Sequence, residues 1–217
     1  LTRPPPIPAR SAEEVSLLEA MAAIAPPGVG VGCRSIRDGD EAHLLPEEAG
    51  SIPARRPAMR RASGAARWIA HSLLSNIGIN DFPVLRSPSG APVWPDGISG
   101  SLAHDDEMAV AAVASITDVG SLGIDVEPAI ALPDEIAALV ATSIDVVGAV
   151  DRQLAGRILF AAKEAVYKAV YPLDHEILDY GDIAIDLSAS RATTTTGRRA
   201  TLAYCLAPRI VVLAFVR

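Results

Sequence analysis

The chain has 217 residues, half of them hydrophobic and 21% charged, with a net charge of −7. That length holds one large domain or two small ones, the apolar fraction excludes wholesale disorder, and the acidic balance excludes a general nucleic-acid binder. Apolar runs such as Met108 to Ile116 are far shorter than the ~20 residues that span a bilayer, and no basic start with a cleavage site opens the chain, which predicts a cytoplasmic protein without stable membrane association.

Residues 3–10, RPPPIPAR, predict a mobile or poorly packed arm. APPGVGVGCRSI, from Ala25 to Ile36, reads as a turn followed by a strand. From about Pro57 to Ile77 the period is helical, with Ala62, Ala65, Ala66, Ile69, Leu73 and Leu74 on the apolar face. Arg60 and Arg67 fall on nearly the same side of that helix. With Arg55, Arg56 and Arg61 they form a basic cluster suited to a small anionic ligand. Ser87 to Ala114 begins as turns and runs into a buried strand, and Gly120 to Pro128 is a glycine-punctuated strand stopped by proline. Two helical stretches follow, and the tail from Gly181 is rich in β-branched residues and reads as strands with a hairpin at TGRR, Thr196 to Arg199. Cys33 and Cys205 lack ligand-type neighbours and read as buried thiols. Strand, helix and strands recur in similar order in each half. The expectation is an α+β fold of two similar subdomains, residues 1–120 and 121–217, with the informative residues at their junction.

In LGIDVE, Leu122 to Glu127, strand alternation puts Asp125 and Glu127 on one face and Ile124 and Val126 on the other. The carboxylates then stand about 7 Å apart at the backbone, able to converge on one ion. An edge strand with a solvated polar face gives the same pattern. Lys163 and Lys168 are the only lysines of the chain, and both flank Glu164 in an otherwise apolar segment. Phe160, Glu164, Tyr167 and Tyr171 share one helical face and Ala162, Ala165, Val166 and Ala169 the other, which predicts a helix buried on two sides. Glu164 and Lys168 fit an ordinary i,i+4 pair. Charges in a buried helix are costly unless paired or bound to an ion, so Glu164 beside Asp125 and Glu127 predicts a hard oxygen site suited to Mg²⁺ and substrate phosphates. Such a substrate also explains lysine at both positions, because an ammonium is a compact charge that can release a proton and a guanidinium is not.

Three stretches carry a resemblance: GAPVWPDGISGSLAH (Gly90 to His104), LGIDVE, and FAAKEAVYKAVYP (Phe160 to Pro172). In order and spacing they look like the three motifs of the 4′-phosphopantetheinyl transferase superfamily. The chain resembles its monomeric two-subdomain branch, which includes the enterobactin synthetase component D enzymes, from about Val29 onward. The resemblance implies transfer of the 4′-phosphopantetheine arm of coenzyme A to a serine of an apo carrier protein, releasing adenosine 3′,5′-bisphosphate. The implied setting is siderophore or other secondary-metabolite synthesis. The active site is implied in the cleft between the subdomains, with coenzyme A held by the first.

Carried over by motif, Asp125, Glu127 and Glu164 hold Mg²⁺ against the pyrophosphate, and Glu164 accepts the serine proton directly or through a water. Lys168 stabilises or protonates the leaving phosphate, and Lys163 contacts the pyrophosphate or pantetheine side. His104 contacts a coenzyme A phosphate. Arg60 and Arg67, with Arg61 as alternate, take the 3′-phosphate, while Pro92, Trp94 and Pro95 shape the adenine side. The sequence departs from the family pattern at Ala103, where a serine or threonine is common, and in lacking a glutamate between the second and third motifs, for which Asp145 is a loose stand-in. A coenzyme A-binding regulatory module without turnover and a Mg²⁺-dependent nucleotide phosphohydrolase are the competing classes.

Overall fold

The computed structural model describes residues 10–53 and 56–216, so all but the last residue of the proline-rich opening, and Arg55, lie outside the described residues. Helix α1, Ala12–Ile24, starts at a capping box: the Ser11 hydroxyl accepts from Glu14 N–H at 3.1 Å and the Glu14 carboxylate accepts from Ser11 N–H at 2.7 Å. Strand β1 (Gly30–Ser35), helices α2 (Pro46–Ser51) and α3 (Pro57–Asn76), and strands β2 (Ile98–His104) and β3 (Met108–Ser115) complete the first half. Its antiparallel sheet runs β1-β3-β2. Strand β3 is buried on both faces. Met108, Val110, Ala112 and Ala114 meet Leu17 and Met21 of α1, while Ala109, Ala111 and Val113 meet α3, so the strand reads as a continuous apolar run without alternation.

The second half contains β4 (Ser121–Pro128), α4 (Asp134–Val140), α5 (Ala155–Asp174), β5 (Ile183–Asp186), β6 (Arg191–Thr194), β7 (Arg199–Cys205) and β8 (Arg209–Val216). The strands form one antiparallel sheet in the order β4-β8-β7-β6-β5. The hairpin expected at TGRR joins β6 to β7, with Gly197 at a left-handed φ of 85°. Helix α5 crosses this sheet and buries Ala162, Ala165, Val166 and Ala169 against Ile210, Val212 and Ala214. The fold is therefore α+β with two subdomains, each pairing a long helix with an antiparallel sheet. Their cores are continuous, because Leu122, Ile124 and Val126 of β4 and Val211, Leu213 and Phe215 of β8 pack on the β3 face and α1. No helix among the described residues is long and apolar enough to cross a membrane.

The sheets meet at β4. It is an edge strand, and its outward N–H groups at Leu122 and Ile124 donate to Ser99 Oγ and Ser101 Oγ of β2 at 3.0 and 3.1 Å. Strand alternation puts both serines on that face. On the other side β4 presses on α5 at Gly123, where an added Cβ would lie 1.9 Å from the Ala165 carbonyl oxygen. Only glycine permits that approach, and it brings Asp125 up to Lys168.

Candidate active site

A cavity of about 610 Å³ opens at the junction, between Ser99 to Leu102 of β2, the loop holding Arg86, Pro92 and Trp94, and Tyr167, Lys168 and Tyr171 of α5. It shares Arg86, Gly90, Pro92 and Leu102 with a neighbouring cavity of about 460 Å³, whose other walls include Arg56, Arg67, Ala103 and His104. Three guanidinium groups and an imidazole around one hollow suit a small polyanion, since arginine forks match phosphate oxygens. A third hollow, about 260 Å³, is lined by Glu164, Tyr167, Leu178 and Tyr180. Tyr167 thus borders both the first and the third.

The charged groups lie on β4 and α5. Lys168 Nζ donates to Asp125 Oδ1 at 2.6 Å and to the Ile124 carbonyl at 3.2 Å. Oδ2 of Asp125 is buried with no hydrogen-bond partner among the described residues. Burial pushes the Asp125 carboxyl up to about 6 against the pull of Lys168, with Glu127 and Glu164 adding to the rise. Glu127 accepts from Arg157 Nη1 at 2.6 Å, and burial raises its pKa as well. Arg157 also donates to the carbonyls of Ile130 and Ala131, so it fastens the segment after β4. Glu164 accepts from the Tyr180 hydroxyl at 3.4 Å, and burial with the Glu164 charge raises the Tyr180 pKa to about 12.

The profile of the 4′-phosphopantetheinyl transferase N-terminal domain matches residues 47–114, and that of the 4′-phosphopantetheinyl transferase superfamily matches residues 121–212. The chain is 39% identical over 159 residues to the 4′-phosphopantetheinyl transferase PptT of Mycobacterium tuberculosis, covering 71% of this chain and 69% of that protein. The chain belongs to the 4′-phosphopantetheinyl transferase superfamily. It is also 37% identical over 163 residues to the transferase Svp of Streptomyces mobaraensis, across 69% of this chain and 64% of that protein, a little under two thirds of the relative's length. With the transferase Npt of Nocardia iowensis the identity is 34% over 160 residues, across 72% and 69% of the two chains.

Lys163 departs from the role its motif position implies. It is fully buried, and its Nζ donates to the carbonyls of Val140 and Tyr180, both at 2.9 Å, and pairs with Asp145 at 2.8 Å. Asp145 also accepts from the N–H groups of Thr142 and Ile185, so the loose stand-in is the structural partner of this lysine. The expected burial of α5 on two sides is corrected too: Glu164, Tyr167 and Tyr171 are half-buried and border the hollows. Of the arginines, Arg67 reaches the second cavity, held by its Nε bond to the Val84 carbonyl at 2.8 Å and by Glu48 at 3.9 Å. Arg60 leans on the Ala49 carbonyl at 3.5 Å and Arg61 pairs with Asp38, and neither lines the cavity. Arg56 and Arg86 stand there instead. Trp94 packs on Gly100, where an added Cβ would meet the indole at 2.4 Å. Pro92 lines both cavities, whereas Pro95 belongs to the turn into β2, its carbonyl accepting from Ile98 N–H.

Among the described residues no three His, Cys, Asp or Glu side chains converge closely enough to hold a metal. Lys168 and Arg157 occupy one oxygen each of Asp125 and Glu127. The donor chemistry nevertheless fits a hard divalent cation, because all the candidates are carboxylate oxygens and Oδ2 of Asp125 is buried without a donor.

Proposed function

We propose that this chain transfers the 4′-phosphopantetheine arm of coenzyme A to a serine hydroxyl of an apo carrier protein and releases adenosine 3′,5′-bisphosphate. The observation that carries this reading is an arginine- and histidine-lined cavity adjoining a carboxylate and ammonium cluster across one subdomain junction, in a chain of this superfamily. Arg67, Arg86, Arg56 and His104 take the 3′-phosphate end, and Pro92 and Trp94 shape the nucleotide side. Arg60 and Arg61 drop behind them because their side chains are turned to Ala49 and Asp38. Asp125, Glu127 and Glu164 are the residues that would hold Mg²⁺, which when bound neutralises charge on the pyrophosphate. Glu164 takes the serine proton, directly or through a water, as the serine oxygen forms its bond to phosphorus. Lys168 meets the oxygen of the phosphate that leaves. Most of the rate then comes from positioning and charge neutralisation. The acceptors are carrier proteins of siderophore or other secondary-metabolite synthesis, met by a monomer in the cytoplasm.

Incubation with coenzyme A, Mg²⁺ and a panel of apo carrier proteins, read by intact mass, tests this. The expected result is the gain of one phosphopantetheine per carrier, lost with chelator and restored by Mg²⁺. Coenzyme A binding without any gain would favour a regulatory module, and phosphate release without a carrier would favour a phosphohydrolase.

A further inference from the structure

Arg209 begins β8 and is buried despite its charge. Its guanidinium donates to three carboxylates from two other elements: Glu13 in the first turn of α1, at 2.8 Å, and Asp105 and Glu107 in the turn between β2 and β3. Its backbone pairs with Pro128 at the end of β4, next to Glu127. One side chain thus ties the C-terminal sheet to the turn that follows His104.

Asp105 transmits that hold. Its Oδ1 accepts from the N–H groups of Glu107 and Met108 at 2.8 and 2.7 Å, which closes the turn, while its Oδ2 takes Arg209. Its carbonyl oxygen lies 3.2 Å from His104 Nδ1. A carbonyl oxygen only accepts, so Nδ1 is the donor in that contact, and Nε2 is the nitrogen left to donate to a ligand phosphate when the ring is doubly protonated.

We infer that Arg209 is a positioning residue for coenzyme A: through Asp105 it fixes His104 at the arginine-lined cavity relative to the carboxylates of β4. The inference rests on the coenzyme A reading above. A purely structural clamp would also hold the turn, but its loss would weaken binding whether or not His104 is present.

Calorimetric titration of coenzyme A into the wild type, Asp105→Asn, Arg209→Gln, His104→Ala and the doubles with His104→Ala separates the two. Asp105→Asn keeps the side-chain shape and an oxygen for the turn hydrogen bonds, so it serves even if Arg209→Gln does not fold; thermal unfolding checks each variant. The expected result is a loss of about five- to tenfold in affinity for Asp105→Asn in the wild-type background and of less than about twofold when His104 is already alanine. Additive losses in the doubles, or unchanged affinity in folded Asp105→Asn, overturn the inference. Because binding is read and not turnover, a wild type that binds coenzyme A yet modifies no carrier protein overturns the proposed function alone. A wild type that does not bind it overturns both.

Discussion

Lys168 reaches from α5 to Asp125 on β4 at 2.6 Å, passing over Glu164 one helical turn back on its own helix. The ordinary i,i+4 pair is therefore not what holds this ammonium. It sits between a strand and a helix, where a phosphate oxygen entering the first cavity would meet it.

If Lys168 acts as a compact proton donor or point charge, Lys168→Arg will fail to rescue turnover although it keeps the positive charge. Single-turnover rates at saturating coenzyme A and carrier protein are expected to fall about a hundredfold in both Lys168→Arg and Lys168→Ala. A near wild-type rate in the arginine variant would remove Lys168 from the chemical step.

Lys163 should behave in the opposite way. Replacing it with methionine strands Asp145 in the interior and deprives the carbonyls of Val140 and Tyr180 of their donor. Breaking a buried pair of this kind costs about 3–5 kcal/mol, which lowers Tm by about 10 °C in a chain of this size. Coenzyme A affinity, measured on the folded variant, is expected to stay within about twofold. Lost affinity at unchanged Tm would return Lys163 to the ligand.

Arg86 is exposed and lines both cavities, and among the described residues its side chain has no hydrogen-bond or ion-pair partner to lose. Arg86→Ala is expected to weaken coenzyme A binding by about tenfold, to weaken the 3′-dephospho analogue much less, and to leave Tm in place. Equal losses for the two ligands would assign Arg86 to another part of the nucleotide.

What the sequence made legible was whatever repeats at short range. The periods of α3 and α5, the alternation in β4 and the β-branched tail all predicted their elements. The carboxylate face of β4 followed from alternation alone. Helix α1 escaped notice because apolar residues are spread around its axis, although the Ser11 and Glu14 capping box was there to be read. SGSL, Ser99 to Leu102, reads as part of a turn, although its alternation holds two hydroxyls on one strand face; their partner strand lies outside any local pattern. The post held by Lys163 was illegible for another reason: Val140 at the end of α4, Asp145 and Tyr180 come to it from distant points of the chain, and a motif spacing carries no record of them. Arg157 and Glu127 are joined across the same kind of gap.

Acid should weaken the protein partly through Glu14. Burial alone would raise its carboxyl, but the N–H groups of Ser35 and Ser11 and the Arg37 guanidinium outweigh that and hold it below its ordinary value of 4.5. A lowered folded-state pKa means that the folded chain binds fewer protons than the unfolded one. The stabilisation is thus present above about pH 4.5 and is lost as pH falls through the folded value. Glu14→Gln is expected to be less stable than wild type by about 1.5–3 kcal/mol at neutral pH, with the gap in urea midpoint closing on acidification. A gap that stays constant or widens in acid would refute this account.

The β2 serine hydroxyls that cap the edge of β4 have a consequence for how the molecule behaves in company. A bare sheet edge is a template on which another chain can add a strand, the usual route to aggregation and swapping. At one margin of the five-stranded sheet Ser99 and Ser101 take the N–H groups that an intruding strand would need. At the other, Val146 lies beside β5, donating to the Ile185 carbonyl at 2.8 Å and accepting from Leu187 N–H at 2.9 Å. Neither margin offers a free ladder at these positions, so the five-stranded sheet is closed there to a strand from another chain.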